Sequence, residues 1–144
     1  VTEKFWQLEP DALDTLEQLR AAGSRLWLIT NAASADNANR LIDQCKLRPY
    51  FEIILISAVE KIRKPDVRIF QQALEKMSLD ADEAVMVGDT LSADILGAKS
   101  AGLHAVWLSR RTHQPQSLFT RVTIQPDAEI KSLSELPALL NTFS

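Results

Sequence analysis

Short apolar runs alternate with amphipathic stretches about every 30 residues along the chain. Leu26–Ile29, Ile53–Ile56, Ala84–Val87 and Ala105–Leu108 are apolar on successive residues and too short for helices. That pattern predicts strands covered on both faces. The stretches between them carry helical spacing. Leu13, Leu16 and Leu19 follow Pro10, in a helix that begins at about Asp11 and stops at Gly23. Ala38, Leu41, Ile42 and Cys45 share one face of a helix over Ala35–Leu47, with Ser34 as its cap. Ile69, Phe70, Ala73, Leu74 and Met77 follow Pro65, with Asp66 as the cap. Ile95, Leu96 and Ala98 belong to a helix over Ala93–Ala101, capped by Ser92 and stopped by Gly102. Ile130–Leu133 is expected as a short edge strand, and Ser134 as the cap of a last helix through Leu140. Arg110–Ile124 is irregular and polar, and Val1–Gln7 carries no assignable pattern.

Strand–helix alternation of this kind predicts an α/β fold. The expected form is a three-layer, Rossmann-like parallel sheet with helices on both faces and right-handed crossovers. The length of 144 residues allows one domain with one core. A hydrophobic content of 46% with 24% charged residues belongs to a soluble globular protein. The net charge of -3 excludes a nucleic-acid surface driven by bulk electrostatics. The single cysteine, Cys45, permits no internal disulfide and is expected as a small core residue. No stretch has the form of a signal peptide or a membrane span, so a reducing, cytoplasmic setting is expected. The composition sets no oligomeric state.

The candidate chemistry lies where strands end. Asp89 follows the Ala84–Val87 run and Gly88, so its carboxylate leaves the sheet edge. Asp94 falls in the first turn of the next helix, where the helix dipole favours negative charge. Two carboxylates at one strand-to-helix corner suit magnesium, which takes few protein ligands and keeps its waters. Thr30 and Asn31 end another strand, and Lys64 stands in the loop after a third. Cations, hydrogen-bond donors and a metal are what a phosphoryl group requires. Each feature alone has a plain structural reading as turn, solvated loop or capped helix; their order along the chain is the signal. His104 at a strand start is expected to be structural, His113 with Arg110 and Arg111 to be a solvated loop, and Trp107 to be core.

Leu28-Ile29-Thr30-Asn31, then Arg63-Lys64-Pro65-Asp66 with Ile69-Phe70, then Val87-Gly88-Asp89-Thr90 to Asp94 with Gly97-Ala98 and Ala101-Gly102, resemble three motifs of the haloacid dehalogenase-like hydrolases. The resemblance runs from about Leu8 to Leu140. It implies that Thr30 binds the transferring phosphoryl group and that Asn31 assists it. Lys64 would neutralise the phosphoryl group and the nucleophile, Asp89 would ligate Mg2+, and Asp94 would support the metal or its waters. The two-aspartate form resembles the family's phosphatases more than its metal-free dehalogenases. The implied partner is a small phosphorylated metabolite.

Two features depart from the family pattern. Its first motif, a strand ending in Asp-x-Asp whose first aspartate is the nucleophile, has no counterpart here. Asp80-Ala81-Asp82 has the spacing but precedes a strand, and is expected as a loop. Lys61 and Ala32 stand where glycines are usual, and Lys61 could compete with Lys64 for the cationic role. The expectation is that Val1–Ser144 is the C-terminal part of a larger core, with the nucleophile strand and the cap outside it. Family geometry then leaves a slot between the strands of Ile29 and Val87. Two readings follow. One is the C-terminal core of a magnesium-dependent phosphatase working through an aspartyl phosphate, inactive as this chain alone. The other is a non-catalytic phosphate- or partner-binding module of the same ancestry. A phosphoacceptor receiver domain is disfavoured, because Lys64-Pro65 precedes two further strands and Leu26–Ile29 ends in Thr30-Asn31 rather than an acidic pair.

Overall fold

The computed structural model describes residues 11–109, 120 and 123–143. Among the described residues five short strands form two sheets, and every pairing is parallel. β1 (Trp27–Thr30) pairs with β2 (Ile53–Ile56), and β3 (Val85–Gly88), β4 (His104–Leu108) and β5 (Ala128–Ile130) pair in that order. Thr30 lies opposite Ile56, and Gly88 opposite Trp107. The α/β architecture is as the alternation predicts.

The helices cover both faces. They are α1 (Ala12–Ala21), α2 (Ala35–Gln44), a single turn α3 (Ser57–Glu60), α4 (Val67–Met77), α5 (Leu96–Ser100) and α6 (Leu136–Leu140). On one face Ile69, Phe70, Ala73 and Leu74 of α4 and Ala98 of α5 pack on Ile29, Leu55, Ala105 and Trp107. On the other, Leu19 of α1 and Leu136 of α6 pack on Val106, Leu108 and Ile130, while Ala38 and Ile42 of α2 pack on Ile56. Alternate residues of β4 serve opposite faces, as the period of two requires. The caps explain where helices begin. Ser34 accepts from the backbone N–H of Asn37 at 3.1 Å, and Asp66 from that of Arg68 at 2.9 Å.

Several local expectations are corrected. Ser92 is exposed and does not cap. The segment Leu91–Ile95 is a π-helical turn, entered from Thr90, and the α-helix proper starts only at Leu96. The expected edge strand lies upstream, at Ala128–Ile130, because Asp127 fixes its start. Asp127 accepts from the backbone N–H of Ala105 at 2.8 Å and from Lys99 at 2.9 Å. Burial pushes its carboxyl up, but the hydrogen bonds and charges of Lys99, Ala105 and His104 outweigh this and hold it below the usual range. The last cap is Ser132, which accepts from Ser134 N–H ahead of a short 3-10 turn leading into α6. Asp80-Ala81-Asp82 enters a 3-10 turn over Ala81–Glu83 closed by a capping box, and it still precedes β3. Arg110, Arg111 and His113 lie outside the described residues, as does Val1–Gln7.

Among the described residues β1 bonds only to β2, and β3 only to β4. Both strands line one cleft of about 400 Å³. Leu28, Ile29, Val85 and Val87 line it together with Leu16, Leu19 and Leu136, as do Lys64, Asp89 and Asp94. All four residues of β3 are only half-buried, whereas β4 beside it is buried from Ala105 to Leu108. Parallel strands are ordinarily buried on both faces. The expected slot is therefore present as an interval that no described strand fills.

Candidate active site at the ends of two parallel strands

Lys64 anchors the site. Its ammonium donates to the Ile29 carbonyl at 3.0 Å and to Asp94 Oδ1 at 2.5 Å. An ammonium has three donors, so one remains for a ligand. The Lys64 and Asp94 side chains are only 10% and 7% exposed, so this is a buried ion pair rather than a surface one. The pair spans the cleft, since Ile29 belongs to one sheet and Asp94 follows the other. The Lys64–Pro65 peptide bond is cis.

The π turn places Asp94. The Thr90 carbonyl accepts from the N–H groups of Ala93, Asp94 and Ile95 at 3.3, 2.8 and 3.4 Å. The turn is widened by one residue, a device that recurs at functional sites. Asp94 Oδ2 then accepts from Thr90 N–H at 3.1 Å, which closes the turn from within. Gly88 makes room for it. A Cβ at Gly88 would stand 2.3 Å from both Cβ and Cγ of Asp94. Gly97 likewise permits a close approach in the following helix, where a Cβ would meet Phe70 Cε2 at 2.5 Å and Pro65 Cα at 3.1 Å. The glycines thus let the Asp89 segment approach the Lys64 loop.

Asp89 is half-buried at the end of β3. Its Oδ1 accepts from Thr90 Oγ1 at 3.0 Å, and its backbone carbonyl accepts from the indole N–H of Trp107 at 3.1 Å. Trp107 is therefore more than core: it ties the carbonyl of Asp89 to β4. Its register opposite Gly88, one residue before Asp89, is the signal that sequence reasoning passed over.

Across the cleft, Thr30 ends β1 and Asn31 follows it. The Asn31 side chain donates to the Lys64 carbonyl at 3.0 Å and accepts from the Lys64 N–H at 2.9 Å. Ser57, unmarked in the sequence, accepts from Ala32 N–H at 2.9 Å and donates to the Ala32 carbonyl at 3.1 Å. Ala32 keeps an ordinary negative φ, so no glycine is required there. Lys61 is exposed and ends α3 in the left-handed region, with φ of 63°. That is the conformation glycine adopts most readily, which accounts for the glycine usual at this position. In this loop Lys64 reaches Asp94. His104 packs against Phe143 with ring centroids 5.2 Å apart and the planes tilted by 60°, and stands 4.0 Å from Asp127, in a structural setting. Cys45 is partly buried at the end of α2.

The described residues contain no cluster of three or more His, Cys, Asp or Glu side chains that could hold a metal ion. Magnesium does not need such a cluster: one or two carboxylates, waters and substrate oxygens suffice. Asp89 fits that role. Asp94 is engaged through both oxygens, so it fits as a support better than as a direct ligand.

The parallel α/β chain brings a buried ammonium and two aspartates to one cleft at its strand ends, where ligands bind in open α/β sheets. The haloacid dehalogenase-like hydrolase pattern matches residues 2–102, and the chain belongs to that family. It is 39% identical over 98 residues to the glyceraldehyde 3-phosphate phosphatase of Pyrococcus abyssi, covering 68% of this chain and 41% of that protein. It is 37% identical over 133 residues to the pyrimidine 5'-nucleotidase YjjG of Escherichia coli, covering 91% of this chain and 56% of that protein. The crystal structure of a HAD phosphatase from Thermococcus onnurineus superposes with a TM-score of 0.79 at 34% identity, covering 93% of this chain and 58% of that one. The chain thus spans about half the length of the relatives it matches. No described helix is long and apolar enough to cross a membrane.

Proposed function

We propose that this chain is the C-terminal portion of the core of a magnesium-dependent phosphatase acting on a small phosphorylated metabolite. The nucleophilic aspartate lies on a strand outside the chain and enters the slot between β1 and β3. The observation that carries this reading is the placement of Lys64, which keeps one donor for a ligand at the mouth of the slot. The unfilled interval and the half-length match to the relatives support it.

The residues divide the work by position. Thr30 offers its hydroxyl and backbone N–H to the phosphoryl oxygens at the end of β1. Lys64 neutralises negative charge on the phosphoryl group and holds the attacking carboxylate ionised. Asp94 aims the ammonium, and Asp89 holds Mg2+. When bound there, the ion lowers the cost of charge on the phosphoryl oxygens. Attack by the aspartate would form an aspartyl phosphate and release the alcohol, and water would then return the carboxylate and free phosphate.

The test is hydrolysis of p-nitrophenyl phosphate by the complete protein at varied magnesium. Wild type turns over; Lys64→Ala and Asp89→Asn each lose on the order of 100-fold or more in kcat/KM, the scale of removing one electrostatic stabiliser. Inorganic phosphate binding without turnover by the complete protein would favour the non-catalytic module instead.

A further inference from the structure

The resemblance assigns Asn31 to the substrate, but both ends of its side-chain amide are already in use. The Nδ2 donates to the Lys64 carbonyl at 3.0 Å and the Oδ1 accepts from the Lys64 N–H at 2.9 Å. One planar amide thus pairs with both backbone groups of a single residue 33 positions away. The same Lys64 is gripped a second time from β1, since its ammonium donates to the carbonyl of Ile29. Next to Asn31, the buried Ser57 hydroxyl holds both backbone groups of Ala32. The loop after β1 is therefore stitched on one side to α3 and on the other to the Lys64 loop. These bonds continue the β1–β2 pairing beyond Thr30 and Ile56, where the ladder ends. An Asn side chain has two donors and two acceptor sites, and one of each is committed to Lys64.

We infer that Asn31 is a positioning residue for Lys64 rather than a ligand of the phosphoryl group. Its amide sets the backbone of Lys64, while Ile29 and Asp94 set the ammonium, so that the third N–H of Lys64 points to one place. The inference rests on the phosphatase reading above for what Lys64 does, but not for the clamp itself. Loss of the clamp frees the loop at Lys64 while its ammonium stays tied to Ile29 and Asp94. A displacement of about 1 Å in a catalytic group costs up to about 100-fold in rate.

Two measurements on the complete protein test this. The first is backbone hydrogen exchange at Lys64, followed by NMR in wild type, Asn31→Ala and Asn31→Asp. Exchange at Lys64 should speed up at least about 10-fold in Asn31→Ala, because the N–H loses its acceptor. Asn31→Asp keeps that acceptor and loses the donor to the carbonyl, so it should retain much of the protection and remains informative if the alanine variant does not fold. Unchanged exchange in Asn31→Ala would overturn the clamp whether or not the protein is a phosphatase. The second is a double-mutant cycle on kcat/KM with Lys64→Ala. Asn31→Ala should cost about 10- to 100-fold when Lys64 is present and under about threefold when Lys64 is already alanine. A full, multiplicative loss in the Lys64→Ala background would show that Asn31 meets the substrate itself and would overturn the inference. An inactive wild type would count against the phosphatase reading, while the exchange measurement would still decide the clamp.

Discussion

The buried pair of Lys64 and Asp94 carries two duties with one contact. It aims the ammonium, and it ties the loop after β2 to the turn after β3. Removing the charge of Asp94 leaves a desolvated ammonium that faces only neutral acceptors among its described partners. Asp94→Asn is therefore expected to lose about 3 kcal/mol of stability in urea unfolding, the scale of breaking a buried pair. Asp89→Asn, at a half-exposed strand end, should cost under about 0.5 kcal/mol in the same experiment. Equal losses would contradict the division between support and ligand. Gly88 offers a second test at this scale. Its added methyl would stand 2.3 Å from Asp94, inside any allowed contact. Gly88→Ala should cost about 1–3 kcal/mol in urea unfolding, as overpacking does. A variant as stable as wild type would show that the turn after β3 can yield.

At the scale of elements, the sequence was legible where one signal dominated. Ile53–Ile56 is a strand at the expected residues, and Ser34 and Asp66 cap the helices that the pattern assigns to them. It misled where two signals competed. Ser92 looks like a cap, yet the carboxylate of Asp94 satisfies Thr90 N–H and widens the turn instead. Spacing alone does not distinguish an α from a π turn, and Asp94 in this turn bonds to Lys64, 30 residues away. The bidentate bonds of Asn31 and Ser57 were equally hidden, since each depends on a loop more than 20 residues away. Asp66 gives a pH test of the capping account. Its side-chain and backbone hydrogen bonds to Arg68 hold its carboxyl at about 2, below the ordinary 3.8. A carboxyl depressed by folding stabilises above its ordinary value, and that contribution fades as pH falls through 3.8 toward about 2. The stability difference between wild type and Asp66→Ala should hold constant from pH 7 to about 5 and shrink below about 4. A difference that persists unchanged at pH 2 would contradict the assigned cap.

For the whole molecule, the division into two sheets is the feature that matters most. The alternation of strands and helices made the α/β class legible, and the order of Thr30, Lys64 and Asp89 pointed to the candidate site. The meeting of Lys64 and Asp89 at one cleft was legible only through the family resemblance. The structure adds the physical reason: α4 and α5 span both sheets through Phe70, Ile69 and Ala98, and so hold β1 and β3 on either side of one interval. Unpaired strand edges carry N–H and C=O groups that need partners, and a third strand laid parallel between them would supply both sides. The same strand would cover Leu28, Val85 and Val87, which line the cleft.

We propose that these strand ends form a phosphatase site completed by a strand from outside the chain. Its most direct test is magnesium-dependent release of phosphate from p-nitrophenyl phosphate, measured side by side for residues 1–144 and for the complete protein. Turnover is expected from the complete protein and none above background from residues 1–144. Hydrolysis by residues 1–144 alone, abolished by Lys64→Ala, would contradict it.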